Sequence, residues 1–187
     1  GVVSPESKLT HFAKIDLPGP RLPHDMGFTE NYVILHDLPV VFTESGLRNG
    51  MWQIKTEQRG ARFGVVPRNG TNDDIKWFET DPCYLYHVAN SWEEGDEVVM
   101  IACRMVPNNF EPDPAHGQFA GMVNIMALHA FAWEWRMNMK TGEITSRQLD
   151  DRLSEFPAIN QEYAGRKTRW SYHVAMAHER LQRFEGL

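Results

Sequence analysis

Cysteine is scarce in this chain: Cys83 and Cys103 are the only two among 187 residues. They lack the Cys-x-x-Cys spacing of a zinc knuckle or a redox pair and lie in strand-like segments, so both read as small buried apolar residues. Positive charge is not in excess either. Lys and Arg number 19 against 25 Asp and Glu, for a formal net charge of -6, and no basic stripe follows the chain, which argues against nucleic acid as a partner. The longest uncharged apolar stretch, around Phe119 to Trp133, is broken by Asn124 and His129 and is too short to cross a bilayer as a helix. Gly1-Val2-Val3-Ser4-Pro5-Glu6 has neither the basic start nor the apolar core of a signal peptide, so a cytoplasmic location is expected. On that expectation Asn69-Gly70-Thr71 reads as a turn and not as a glycosylation acceptor. Also absent are a Gly-rich phosphate loop, His-Glu-x-x-His, Gly-x-Ser-x-Gly, a dinucleotide fingerprint and any exact internal repeat.

What the chain does have is a globular composition, 42% hydrophobic and 24% charged, at a length that suits one domain spanning residues 1–187. Apolar and polar positions alternate in short runs bounded by turn residues, the period of a half-buried strand. The clearest run sets Phe131, Trp133, Trp135, Met137 and Met139 on an apolar face, with Ala132, Glu134, Arg136, Asn138 and Lys140 between them on a mostly polar one. Lys140-Thr141-Gly142-Glu143 then turns into Ile144 to Leu149, which predicts a hairpin. Further strands are predicted at Tyr32 to Leu35, Ala61 to Val66, Ile75 to Phe78, Tyr84 to Ala89 and Glu97 to Arg104. Asn49-Gly50, Arg68-Asn69-Gly70, Asp81-Pro82 and Glu94-Gly95-Asp96 separate them as turns. Only His173 to Phe184 has the composition for a helix. The fold class is therefore all-β, and strand spacing alone leaves a sandwich, a barrel and part of a propeller open.

The remaining candidates for chemistry are eight histidines, since imidazole is the commonest neutral metal ligand and ligands on separate strands show no close spacing. His11, His116 and His178 lie in polar or Pro/Gly-rich surroundings and read as solvated surface groups. His36, beside Asp37, fits a turn hydrogen bond, while His129 and His173 have aromatic neighbours and fit satisfied core groups. His24 opens a run that leads into an apolar strand. His87 shares a strand face with Leu85 and Ala89, where an unpartnered imidazole would cost about 1–3 kcal/mol. By residue type alone, a core hydrogen bond satisfies either histidine as well as a metal does.

The surroundings of these two histidines are more specific. Pro20-Arg21-Leu22-Pro23-His24-Asp25-Met26-Gly27-Phe28-Thr29-Glu30-Asn31-Tyr32 resembles a histidine motif of the carotenoid cleavage oxygenases and stilbene-cleaving dioxygenases. Tyr86-His87-Val88-Ala89-Asn90-Ser91-Trp92-Glu93-Glu94-Gly95-Asp96 resembles that family's next ligand motif. Leu149 to Asn160, with Glu155-Phe156-Pro157 at its centre, is similar to the family's Glu-Phe-Pro segment, and Phe63-Gly64-Val65-Val66-Pro67-Arg68 looks like a family strand. The resemblance implies a seven-bladed β-propeller, of which this chain would supply roughly three blades. It implies iron(II) on the propeller axis held by four histidines, His24 and His87 among them, with Glu155 accepting the free ring N–H of His87. The other two ligands have no matching motif here and are expected outside Gly1–Leu187, so the remainder of the propeller is itself an expected partner.

The activity implied by the resemblance is oxidative cleavage of a carbon–carbon double bond of a carotenoid, apocarotenoid or stilbene-like substrate with dioxygen. The partners are then an apolar small molecule and dioxygen, and the family's lipid-soluble substrates allow peripheral contact with a membrane surface. With only two of the four histidines, this stretch alone is expected to be inactive. The competing reading is a non-catalytic β-rich module in which both histidines are buried hydrogen-bonding groups. A zinc hydrolase is disfavoured because no carboxylate motif near the histidines suggests a general base.

Overall fold

The computed structural model describes residues 1–41, 44, 48, 60–105, 113–120, 123, 129–177 and 183–187. Among them the regular structure is twelve strands and three short 3-10 turns, and none of the helical residues forms a helix long and apolar enough to cross a membrane. The strands are β1 (Val2–Val3), β2 (Leu9–His11), β3 (Gly27–Phe28), β4 (Tyr32–Asp37), β5 (Ala61–Pro67), β6 (Lys76–Thr80), β7 (Tyr84–Glu94), β8 (Glu97–Met105), β9 (Ala130–Asn138), β10 (Ile144–Ala158), β11 (Tyr172–Met176) and β12 (Phe184–Gly186). All pairings are antiparallel between neighbours in sequence. The order β3-β4-β5-β6 makes one four-stranded meander. The next sheet begins β7-β8-β9-β10, and β10 serves two sheets: Ile144 to Leu153 pairs with β9, while Ser154 to Ala158 pairs with β11, which pairs with β12. The fold is thus all-β, two complete propeller blades and the start of a third, with β10 handing the chain from the second to the third.

The side-chain pattern explains the blades. In β5, Ala61, Phe63 and Val65 alternate toward the core, whereas β8 buries Val98, Val99, Met100, Ala102 and Cys103 on both faces, although both strands lie between two neighbours. Blade one and blade two meet at Phe63 and Trp135, whose rings stack edge to face at 5.3 Å, and Trp135 Nε1 donates to Thr80 Oγ1 at 3.2 Å. Burying each such side chain contributes roughly 1.5–3 kcal/mol, so the interface between the blades is part of the core and not a seam. Gly142, at φ +85, makes the predicted hairpin turn, with the Asn138 side chain accepting from the N–H groups of Lys140 and Thr141.

Several sequence expectations change. β7 runs five residues beyond Ala89, and β10 runs nine beyond Leu149. The predicted strand at Ile75 starts one residue later, because Asn72–Asp74 is a 3-10 turn with Thr71 as its N-cap, the Thr71 N–H donating to Asp74 Oδ2. The polar face of β9 is not solvated throughout: Glu134 is buried and paired with Arg147 at 2.9 Å, because β9 is a central strand. The stretch His173 to Phe184, whose composition could carry a helix, instead begins inside strand β11 (Tyr172–Met176) and ends where β12 (Phe184–Gly186) starts. His11 is half-buried, its Nε2 bonded to the Gly70 carbonyl at 2.8 Å, and His129 is exposed, not a core group. His173 is satisfied by Cys103 Sγ and Ser171 Oγ. His36 makes no turn hydrogen bond. It is buried against Phe63 with neither ring nitrogen partnered among the described residues, since Asp37 is engaged by two arginines. Both cysteines are buried, and burial pushes the Cys83 thiol up to about 12. Asn49-Gly50, His178 and most of the apolar stretch after Phe119 lie outside the described residues.

Candidate metal centre

His24 lies on a segment that cannot join a ladder. Pro18, Pro20 and Pro23 remove backbone donors and fix φ, so among the described residues the only bridge made between β2 and β3 is Arg21 with Val41. Side chains and isolated backbone groups hold this strap instead. Arg21 Nε donates to Asp37 Oδ1 at 2.7 Å, and both side chains are almost fully buried. Arg62 occupies the other Asp37 oxygen at 2.7 Å and stacks on Trp77. Leu22 N–H donates to the Val40 carbonyl at 3.2 Å, and the Tyr84 hydroxyl donates to the Leu22 carbonyl at 3.0 Å. Just beyond, Gly27 lets β3 approach β7, since a Cβ there would stand 2.7 Å from Ser91 Oγ.

His87 comes from β7, whose pairing with β8 shifts register between Leu85 and Val88 and again between Val88 and Asn90. Such bulges free backbone groups and re-aim side chains. The strap uses the freed groups: His24 Nδ1 bonds the Tyr86 carbonyl at 3.0 Å, and Val88 N–H donates to Asp25 Oδ2 at 2.8 Å. The His24 and His87 rings lie with centroids 5.2 Å apart and planes at 88°. Two imidazoles bound at right angles on one ion, with bonds of about 2.1 Å, would carry their centroids roughly 4.6 Å apart, close to this spacing.

Glu155, at the hand-off in β10, is fully buried. Its Oε2 accepts from His87 Nδ1 at 2.7 Å and from Phe156 N–H at 2.6 Å, while Oε1 has no partner among the described residues. Burial pushes the Glu155 carboxyl up, and the Phe156 and His87 donors pull it back. Phe156 adopts φ +50, a left-handed conformation that costs a non-glycine residue about 1–2 kcal/mol. That geometry presents its N–H to Glu155 and its ring to His87 at 4.9 Å, with Phe184 next to it at 5.6 Å.

Each histidine therefore has Nδ1 committed as a donor, to a carbonyl for His24 and a carboxylate for His87. In a neutral imidazole this tautomer leaves the lone pair on Nε2. That donor set fits a divalent transition metal, with orienting acceptors behind both rings. Two nitrogens fall short of a full coordination sphere, and among the described residues no group of three or more His, Cys, Asp and Glu side chains could hold a metal ion. A cavity of about 150 Å³ bordered by Asp25, Phe28, Val88, Ser91, Pro157 and Gln161 lies next to the pair without including either ring. That volume suits a few waters and is below the size of a drug-like ligand site.

His24, His87 and Glu155, singled out from sequence, are thus brought together in space. Asp25 was quoted in the motif without a role, and its position next to His24 was the available signal. The left-handed Phe156 has no sequence signature, because nothing in Glu-Phe-Pro requires φ > 0.

The sequence matches the family model "RPE65: Retinal pigment epithelial membrane protein" over residues 1–187. It is 38% identical over 174 residues to a carotenoid 9,10(9',10')-cleavage dioxygenase of Crocus sativus, covering 91% of this chain and 31% of that protein. Its structure is similar to that of the Pseudomonas brassicacearum lignostilbene dioxygenase, with a TM-score of 0.74 and 26% identity over 94% of this chain and 37% of that one. The fold also matches a cobalt-substituted Synechocystis ACO at a TM-score of 0.77 and 22% identity, over 96% and 38% of the two chains. The chain spans about a third of the length of the curated relatives it matches. On the whole-length family match, the chain belongs to the RPE65/carotenoid cleavage oxygenase family.

Proposed function

We propose that this chain is the part of a non-haem iron(II) dioxygenase that supplies two of the metal's histidine ligands, His24 and His87. The proposed reaction is cleavage of a carbon–carbon double bond in a carotenoid, apocarotenoid or stilbene-like substrate by dioxygen. The observation that carries it is the paired tautomer: both Nδ1 atoms are bound to acceptors, so both neutral rings, adjacent and perpendicular, carry their lone pair on Nε2. Neither Nε2 has a hydrogen-bond partner among the described residues. Iron bound there would supply a site for activating dioxygen. Glu155 holds the His87 ring and raises the basicity of its Nε2. The exposed Phe156 ring beside His87, with the exposed Phe184 ring against it, offers an apolar surface on which a conjugated hydrocarbon can lie. The remaining ligands come from the rest of the propeller.

The full-length protein should purify with close to one iron per chain and cleave its substrate. His87→Ala should lose both the iron and the cleavage. Unchanged iron content and turnover in that variant would overturn the assignment.

A further inference from the structure

His24 and Asp25 are consecutive, and they bond the β7 backbone on either side of His87. His24 Nδ1 takes the carbonyl of Tyr86, the residue before it, and Asp25 Oδ2 takes the N–H of Val88, the residue after it. The other carboxylate oxygen, Oδ1, accepts from Met26 N–H at 2.7 Å, which fixes the side chain against its own backbone. Val88 N–H is available because of the register shifts that flank it. The two bonds form a two-point clamp across one residue, joining the segments that carry the two histidines. Remove the Asp25 end, and a single hydrogen bond from the His24 ring itself would have to hold the strap against β7 at this point. The ring would then be free to turn about that bond.

We infer that Asp25 is a positioning residue for metal binding: by accepting Val88 N–H it sets the distance and angle between the His24 and His87 rings. This rests on the iron-site reading above and goes beyond it, since Asp25 itself touches no metal. The Arg21–Asp37 pair and the Tyr84 hydroxyl anchor the strap three and two residues before His24. They leave the strap docked when Asp25 is altered, so the clamp acts on ring geometry and not on folding. What the clamp requires at position 25 is an acceptor of the right length, not a negative charge. An asparagine carbonyl can accept Val88 N–H in the same place, while its NH2 group replaces the oxygen that accepted from Met26 N–H, so only the Val88 half of the Asp25 bonding is kept.

The test uses the full-length protein stripped of metal and titrated with Fe(II) and with Co(II), whose visible absorption reports ligand geometry. Asp25→Ala should weaken metal binding by about 10–100-fold, the range for partners that orient metal ligands, and should change the Co(II) spectrum. Asp25→Asn should restore wild-type affinity to within about 3-fold, by the same reasoning, and restore the spectrum. The melting temperature of the metal-free protein should stay near wild type in both. Wild-type affinity in Asp25→Ala, alongside metal loss in His87→Ala, would overturn the clamp and leave the iron site standing. Equal losses in Asp25→Ala and Asp25→Asn would overturn it too, because an acceptor restored to Val88 N–H would then restore nothing. Metal retention in His87→Ala would overturn the iron-site reading and the clamp with it.

Discussion

His87 projects from an eleven-residue strand inside blade two and is held by a fully buried carboxylate from the next strand hand-off. His24 is exposed, stands on a strap with three prolines and no ladder, and has only a backbone carbonyl behind its ring. The two rings nonetheless come within 5.2 Å. The difference is one of what supplies the rigidity. For His87 it is the cooperative sheet, whose hydrogen bonds would have to break together. For His24 it is a few separate contacts, each removable by one substitution: the Arg21–Asp37–Arg62 cluster, the Tyr84 hydroxyl and Asp25. The strap should therefore be the more easily disturbed half of the site, and each experiment below either separates the two halves or makes them alike.

The largest effect is expected at Asp37. Its two oxygens each bind one guanidinium, Arg21 and Arg62, with Arg21 almost wholly removed from water. Replacing Asp37 by alanine strands a buried guanidinium, and breaking a buried pair from one side costs about 3–5 kcal/mol. Urea unfolding of the full-length protein should show that loss. Hydrogen exchange should place it in the strap and in β4 and β5, while β8 and β9 keep their protection. Even loss of protection over both blades would break the comparison, since the strap would then be no more separable than blade two.

A second separation is by pH. Burial pushes the His36 imidazole down to about 4, against an ordinary 6.5, with the nearby Asp25 charge opposing the shift. A histidine whose folded pKa is depressed contributes stability that is fully present above 6.5 and is lost as pH falls through 4. At 1.36 kcal/mol per pH unit the full loss is roughly 3 kcal/mol, most of it reached by pH 4.5. Because His36 lies on β4, acid should loosen blade one ahead of blade two. Comparing unfolding at pH 7 and pH 4.5, His36→Leu should be less acid-sensitive than wild type by most of that amount. Identical pH profiles for the two proteins would remove His36 as the cause.

What was legible in the sequence follows the same division. The β9–β10 hairpin could be read because period-two alternation and a Gly turn act locally, within one segment. The far half of β7 could not, because Asn90, Ser91 and Glu93 look like loop residues. In the structure Asn90 holds the carbonyls of Tyr163 and Arg166 and the N–H of Gly165, and Glu93 accepts from Thr29 and Asn31, so their polarity is spent on neighbouring segments. His24, His87 and Glu155 were found through motifs and not through composition or spacing. Their geometry depends on Asp37 and Asp25, whose partners lie 16 and 63 positions away. No local pattern encodes pairs so distant.

The smallest effect, and the one that bears most directly on the two histidines, is expected from Glu155→Gln. The substitution keeps an oxygen that can accept from His87 Nδ1 and Phe156 N–H, but turns the acceptor from a carboxylate into an amide carbonyl. That is the kind of acceptor His24 already has in Tyr86, so the variant makes the two ligands chemically alike. If the carboxylate's contribution lies in raising the basicity of Nε2, metal affinity should fall about 10-fold, near 1.4 kcal/mol, the lower end of the range for such partners. Glu155→Ala, which removes the acceptor altogether and leaves Phe156 N–H unbonded, should fall toward about 100-fold. Chelator competition on the full-length protein measures both. Full affinity in the glutamine variant would show that the buried charge does nothing for the metal and that orientation alone distinguishes His87. Equal losses in the two variants would show the reverse, that charge is all that Glu155 contributes and that the strand by itself holds the ring.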